Sequence, residues 1–143
     1  MTNLYETDFQ IWIEDQINLL KTQQWQQLDT LNLIEEIEAL GRKERQELRN
    51  RLGILLGHLL KWQFQPDKRT NSWLGTIREQ RVQIKFLLQD SPSLKPYLTQ
   101  VFPDAYELGL ALAMRETKLG EQLFPEVCPY TLEQVLDSQF LPI

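Results

Sequence analysis

Between Leu48 and Trp62 the chain is apolar at most positions, with leucines at 48, 52, 55, 56, 59 and 60. Recurrence at intervals of three and four marks one face of a helix, and a run this apolar must be buried. The same spacing organises the rest of the chain. It runs through Tyr5, Phe9, Trp12, Ile13, Gln16, Leu19 and Leu20, then through Trp73, Ile77, Gln80, Ile84, Leu87 and Leu88. It returns in Ala105, Leu108, Gly109, Leu112, Glu116 and Leu119. No run of β-branched residues and no Asn-Gly turn offers an alternative in strands. The sequence therefore predicts an all-α fold: one domain over residues 1–143, a bundle of five or six mostly antiparallel helices.

Punctuation places the helices. Thr7 with Gln10 resembles a capping box and predicts a helix from about Asp8 to about Gln23. Asp29 is expected to cap a second helix, with Leu33, Ile34, Ile37 and Leu40 facing inward and Gly41 as its stop. A third is predicted over 43–65, ended by Pro66. The sequence leaves open whether the second and third run together through Gly41. Asn71 or Ser72 caps the fourth. Ser91 and Pro92 open a short helix over 92–101, which Pro103 divides from a longer one over 103–119. There Ala105, Gly109 and Ala113 lie four apart, small enough for another helix to approach closely. Thr131 with Gln134 opens a short last helix to about Asp137, and Phe140 and Leu141 tack the tail to the core.

Composition narrows the class. A chain of 143 residues with 42% hydrophobic and 24% charged side chains can bury a real core, which excludes a disordered segment. The single Cys128 leaves no intramolecular disulfide and fits a reducing compartment. The first residues lack the basic start and apolar run of a signal peptide, and no stretch is apolar enough to span a bilayer. The expectation is a soluble cytoplasmic protein with no membrane partner. Charge is unevenly spread. Residues 1–41 carry 1 basic and 8 acidic side chains, residues 42–85 carry 11 and 4, and residues 86–143 carry 3 and 8. A basic middle between acidic ends reads first as acidic helices complementing a basic pair, and second as an anion or nucleic-acid surface, which the acidic whole disfavours.

Gln16, Gln80 and Glu116 stand where apolar residues belong. Buried polar groups need partners, so the three are expected to converge on one polar cluster between helices. Several ordered patterns, among them Tyr5-x-x-Asp8-Phe9-x-x-Trp12, Leu33-Ile34-Glu35-Glu36-Ile37, His58-Leu59-Leu60-Lys61-Trp62-Gln63, Ile77-Arg78-Glu79-Gln80-Arg81 and Phe124-Pro125-x-x-Cys128-Pro129-Tyr130, resemble a bacterial family catalogued as domain of unknown function 29. The resemblance spans essentially the whole chain. It implies a stand-alone helical protein and carries over no catalytic residue.

Three constellations could carry chemistry. Arg51 and His58 lie two turns apart on one helix, about 20° from each other around its axis. Their spacing resembles the Arg-then-His signature of the nucleotide-binding helical domains of prokaryotes and eukaryotes. That resemblance implies a metal-independent ribonuclease, with His58 as general acid/base and Arg51 on the phosphate. Glu35, Glu38, His58 and Glu116 are the residues from which a divalent-metal site could be built, although no di-iron or zinc spacing is present. The simpler reading pairs Glu116 with Arg81, Arg78 or Arg51 as a buried salt bridge, and leaves His58 as a packed histidine. Trp12, Trp25, Trp62 and Trp73 read as core or its flanks, and Cys128 as a packed thiol. No phosphate loop, nucleophile elbow or dinucleotide fingerprint occurs, so no cofactor is expected. The leading functional expectation is a non-enzymatic module that works by association, with itself or with a protein partner.

Overall fold

The structure is a computed structural model that describes residues 3–143. It is all-helical, with no strand among the described residues. The helices are α1 (Leu4–Thr7), α2 (Phe9–Lys21), α3 (Thr30–Phe64), α4 (Asn71–Asp90), α5 (Lys95–Thr117) and α6 (Leu132–Leu136). Single 3-10 turns at Trp25–Gln27, Pro66–Lys68, Pro92–Leu94 and Glu121–Leu123 fill the connections. The chain divides into two compact units, Met1–Lys43 and Glu44–Ile143.

The first unit has little interior. Among its described residues only Trp12 and Gln16 are buried. It is held instead by aromatic contacts and polar bonds. Tyr5 meets Trp12 edge-on with ring centroids 4.8 Å apart, and Phe9 stacks on Trp12. Asp8, not Thr7, caps α2 by accepting from the Ile11 amide. Asp29 caps α3 as expected, accepting from the Asn32 amide, and its other oxygen receives the Trp12 indole N–H at 3.0 Å. Leu33 is half-buried, but Ile34, Ile37 and Leu40 point outward, against the inward face that the sequence suggested. Trp25 is likewise exposed.

Gly41 does not end a helix. α3 runs unbroken from Thr30 to Phe64, because a helical glycine costs only about 1 kcal/mol and nothing after Gly41 turns the chain. Arg42 also reaches back across it to Glu35 and Glu38.

The second unit carries the core. Leu48, Leu52, Leu55, Leu56, Leu59 and Leu60 are fully buried, with Ile77 and Ile84 of α4, Val101 and Ala105 of α5, and Val135 of α6. Arg51 meets Gln80 near one end of α3 and Lys61 meets Trp73 near the other, so α3 and α4 are antiparallel. Gly53 faces Ala105 and Leu108 while Gly57 faces Gly109 and Leu112, so α3 and α5 run parallel. Here the glycines decide the packing. A Cβ on Gly109 would lie 2.8 Å from the Gly57 nitrogen and 2.9 Å from the Gly53 oxygen. The small row Ala105, Gly109 and Ala113 is thus consumed inside the fold, against Gly53 and Gly57, and is not a surface for a partner.

Pro103 lies within α5 instead of dividing it. Proline forfeits one helical hydrogen bond, but Val101, Ala105 and Tyr106 on either side are buried, and that packing holds the helix together. The inward face of α5 is also rotated from the expected one. Val101, Ala105, Gly109, Ala113 and Thr117 are buried, whereas Leu108 and Glu116 are exposed. At the far end Thr70 caps α4, in place of Asn71 or Ser72, and Thr131 with Gln134 forms the expected capping box of α6.

Candidate functional site

Each of the three polar residues has a partner of its own. Gln16 accepts from the Asp29 amide at 2.9 Å and so satisfies the start of α3. It lines a pocket of about 660 Å³ with Trp12, Asp15 and Asp29. Gln80, 8% exposed, receives an Arg51 guanidinium N–H at 3.2 Å. Glu116 pairs with Lys61 at 2.6 Å. Arg51 and Lys61 are ten residues apart on α3, about 15 Å along its axis, so these two contacts are separate. These local pairings stand in place of the expected cluster, and Glu116, with a side chain 39% exposed, is not buried.

Glu116 thus pairs with none of Arg81, Arg78 or Arg51. Lys61 was not singled out in the sequence, although its signal was there. It is the sole cation inside the most apolar run, so a helix buried all round must bury it too. Its ammonium lies 4.4 Å from the Trp73 ring centre, and its side chain is 5% exposed. One cation therefore ties α3 to α4 and α5. The hydrogen bond from Lys61 holds the Glu116 carboxyl below the ordinary carboxylate range.

His58 stands one turn earlier on α3. Its Nδ1 donates to the Ile54 carbonyl at 3.0 Å, and burial lowers its pKa, helped by the Lys61 charge. Folding therefore favours neutral His58 and ionised Glu116. For both groups the folded pKa is depressed, so the stability they confer is complete above the ordinary values of 6.5 and 4.5 and is lost as pH falls below each. Tyr106 is pushed up to about 12 by burial, so its neutral form stabilises the fold until pH rises past 10. Urea midpoints measured from pH 3 to 11 are expected to show a plateau between about 7 and 10 and declines on both sides. His58→Asn is expected to remove the upper step of the acid decline.

Arg51 is occupied twice, by Glu47 at 3.0 Å and by Gln80. Glu35 and Glu38 are exposed and sit 3.6 and 3.8 Å from Arg42. Among the described residues no group of three or more histidine, cysteine, aspartate or glutamate side chains comes together that could hold a metal ion, so Glu35, Glu38, His58 and Glu116 do not form the suggested set. Cys128 is half-buried, and burial raises its pKa away from thiolate chemistry.

Arg81 does something else. Its Nε donates to the Val135 carbonyl and an Nη to the Phe140 carbonyl, both at 2.8 Å, with burial opposing its charge and Asp137 supporting it. It fastens the C-terminal segment alongside α4, where Phe140 meets the Tyr130 ring. Between segment and helix runs a groove of about 1100 Å³. Ile77 and Ile84 give it an apolar floor, with Leu74 and Val82 on α4 and Leu136 and Leu141 opposite. Arg78, Arg81, Lys85 and Lys95 line it, and no carboxylate does. Arg78 and Lys85 are seven apart and so share one side of α4. Among the described residues neither these two nor Lys95 has a salt-bridge partner. A second apolar edge on α4, Leu74 and Val82 outside the core stripe, was the sequence signal for this surface.

Residues 4–141 match the family described as domain of unknown function DUF29. The chain belongs to that family. No curated protein and no solved structure matches it. Within this DUF29 chain, the groove beside α4 combines a concave apolar shape with a single sign of charge. No described helix is long and apolar enough to cross a membrane.

Proposed function

We propose that this protein is a non-enzymatic interaction module whose groove beside α4 captures an acidic, amphipathic helix of a protein partner. The observation that carries this reading is the pairing of an apolar floor with four cations and no lining carboxylate. An amphipathic helix buries its apolar face in such a groove, and flanking charges set its register and speed its approach. Nucleic acid suits the surface less well, since no aromatic side chain lines it for a base to stack on. The ribonuclease reading gains no support from geometry. His58 is 9% exposed and Arg51 is engaged by Glu47 and Gln80, whereas a general base must reach its substrate.

The test is an anisotropy titration with a labelled synthetic helix that bears leucine on one face and glutamate on the other. Saturable binding is expected, weakened at least about tenfold by the double substitution Arg78→Glu/Lys85→Glu and weakened by salt. A lysine-faced peptide of the same length is expected not to bind. Equal affinity for the two peptides, or for wild type and variant, would overturn the reading.

A further inference from the structure

We infer that the helix received by the groove is residues 30–43 of a second copy of this chain. The inference rests on the groove reading above and names its partner. Leu31, Ile34, Ile37 and Leu40 in the first part of α3 are 82%, 50%, 65% and 66% exposed. The last three fall within an arc of about 120°, the width of an apolar stripe that ordinarily faces a core. Here the stripe faces solvent, and large apolar side chains grouped in this way mark interaction surfaces.

Its charge is the complement of the groove. Glu35, Glu36 and Glu38 interleave with the stripe, in a unit whose sequence through Lys43 holds 8 acidic and 3 basic side chains. Glu35 and Glu38 share Arg42 at 3.6 and 3.8 Å, with all three side chains more than half exposed. Exposed pairs of that length contribute little, so the carboxylates are available to Arg78 and Lys85 of another copy. Length agrees as well. Fourteen helical residues span about 21 Å, and the α4 residues that line the groove, from Asn71 to Gln89, extend about 27 Å. The contact joins unlike surfaces, stripe to groove, so it is heterologous at each junction.

Complementation between variants of the full chain tests this. Ile34→Asp/Ile37→Asp spoils the stripe and leaves the groove; Arg78→Glu/Lys85→Glu does the reverse. All four side chains are exposed, so both variants are expected to keep the wild-type circular dichroism. In analytical ultracentrifugation the wild type is expected to self-associate with rising concentration, each variant alone to stay monomeric, and their equimolar mixture to form a 1:1 complex, since one good groove then meets one good stripe. If the groove variant associates as the wild type does, the stripes meet each other and the inference is overturned. A wild type that stays monomeric also overturns it. The acidic synthetic peptide, titrated into the stripe variant, separates the two readings. Peptide bound without self-association leaves the groove reading standing and the occupant another protein; no peptide bound removes both.

Discussion

Gly109→Ala is expected to lower folding stability by about 2–3 kcal/mol, although alanine is the better helix former by about 1 kcal/mol. The reason is the contact between α3 and α5. The added methyl would meet the Gly57 nitrogen at 2.8 Å, the Gly53 oxygen at 2.9 Å and the Leu56 Cβ at 2.9 Å. Two of these atoms belong to the backbone of a buried helix, so no rotamer relieves them. The helices must separate, and the packing of Leu52, Leu56 and Ala105 suffers with them. Gly41→Ala is the matched control. It lies in the same kind of helix with nothing within 4 Å of the new methyl, and is expected to raise stability by about 0.5–1 kcal/mol. Urea denaturation followed by circular dichroism measures both; a stabilising Gly109→Ala would mean that α3 and α5 do not cross at this point.

Arg81→Met is expected to cost about 3 kcal/mol and to free the C-terminal segment. The substitution keeps the apolar stem and removes the fork that holds two carbonyls, Val135 and Phe140, each at 2.8 Å. Hydrogen bonds from a charged donor contribute about 1.5–3 kcal/mol each, and the carbonyls left behind lose their partner inside the fold. Arg81→Lys is expected to recover little, since a single ammonium cannot reproduce the planar fork. Hydrogen exchange should show protection lost over residues 132–141 and retained in the buried part of α3. Because Leu136 and Leu141 form one wall of the groove, peptide binding should fall in the same variant.

Much of this fold was legible in the sequence. The leucine run from 48 to 60 and the stripe through Ile77 and Ile84 are patterns of one face, and each predicts its helix without knowledge of a neighbour. Local breakers misled where tertiary packing overrode them. Gly41 and Pro103 both lie inside helices, because neither cost matches what the surrounding helix retains. The polar partners were legible only as a need. That Gln80 and Glu116 required company follows from their positions, but that Lys61 and not Arg81 serves Glu116 depends on α3 and α5 running parallel, which no spacing encodes. Gly53 and Gly57 carried the missing hint: two glycines four apart in a buried helix require a close neighbour, and Ala105, Gly109 and Ala113 are its other half. The groove was the least legible feature, since one wall is a segment with little helix, placed by the guanidinium of Arg81.

One measurement bears most directly on the role assigned to α4. Hydrogen exchange of the full chain, compared with and without saturating acidic amphipathic peptide, locates where a partner helix sits. Slowed exchange is expected in α4 around Leu74 to Leu88 and in the segment from Leu136 to Leu141, reversed by Arg78→Glu/Lys85→Glu. Protection confined to residues 4–43, or none anywhere, would contradict it.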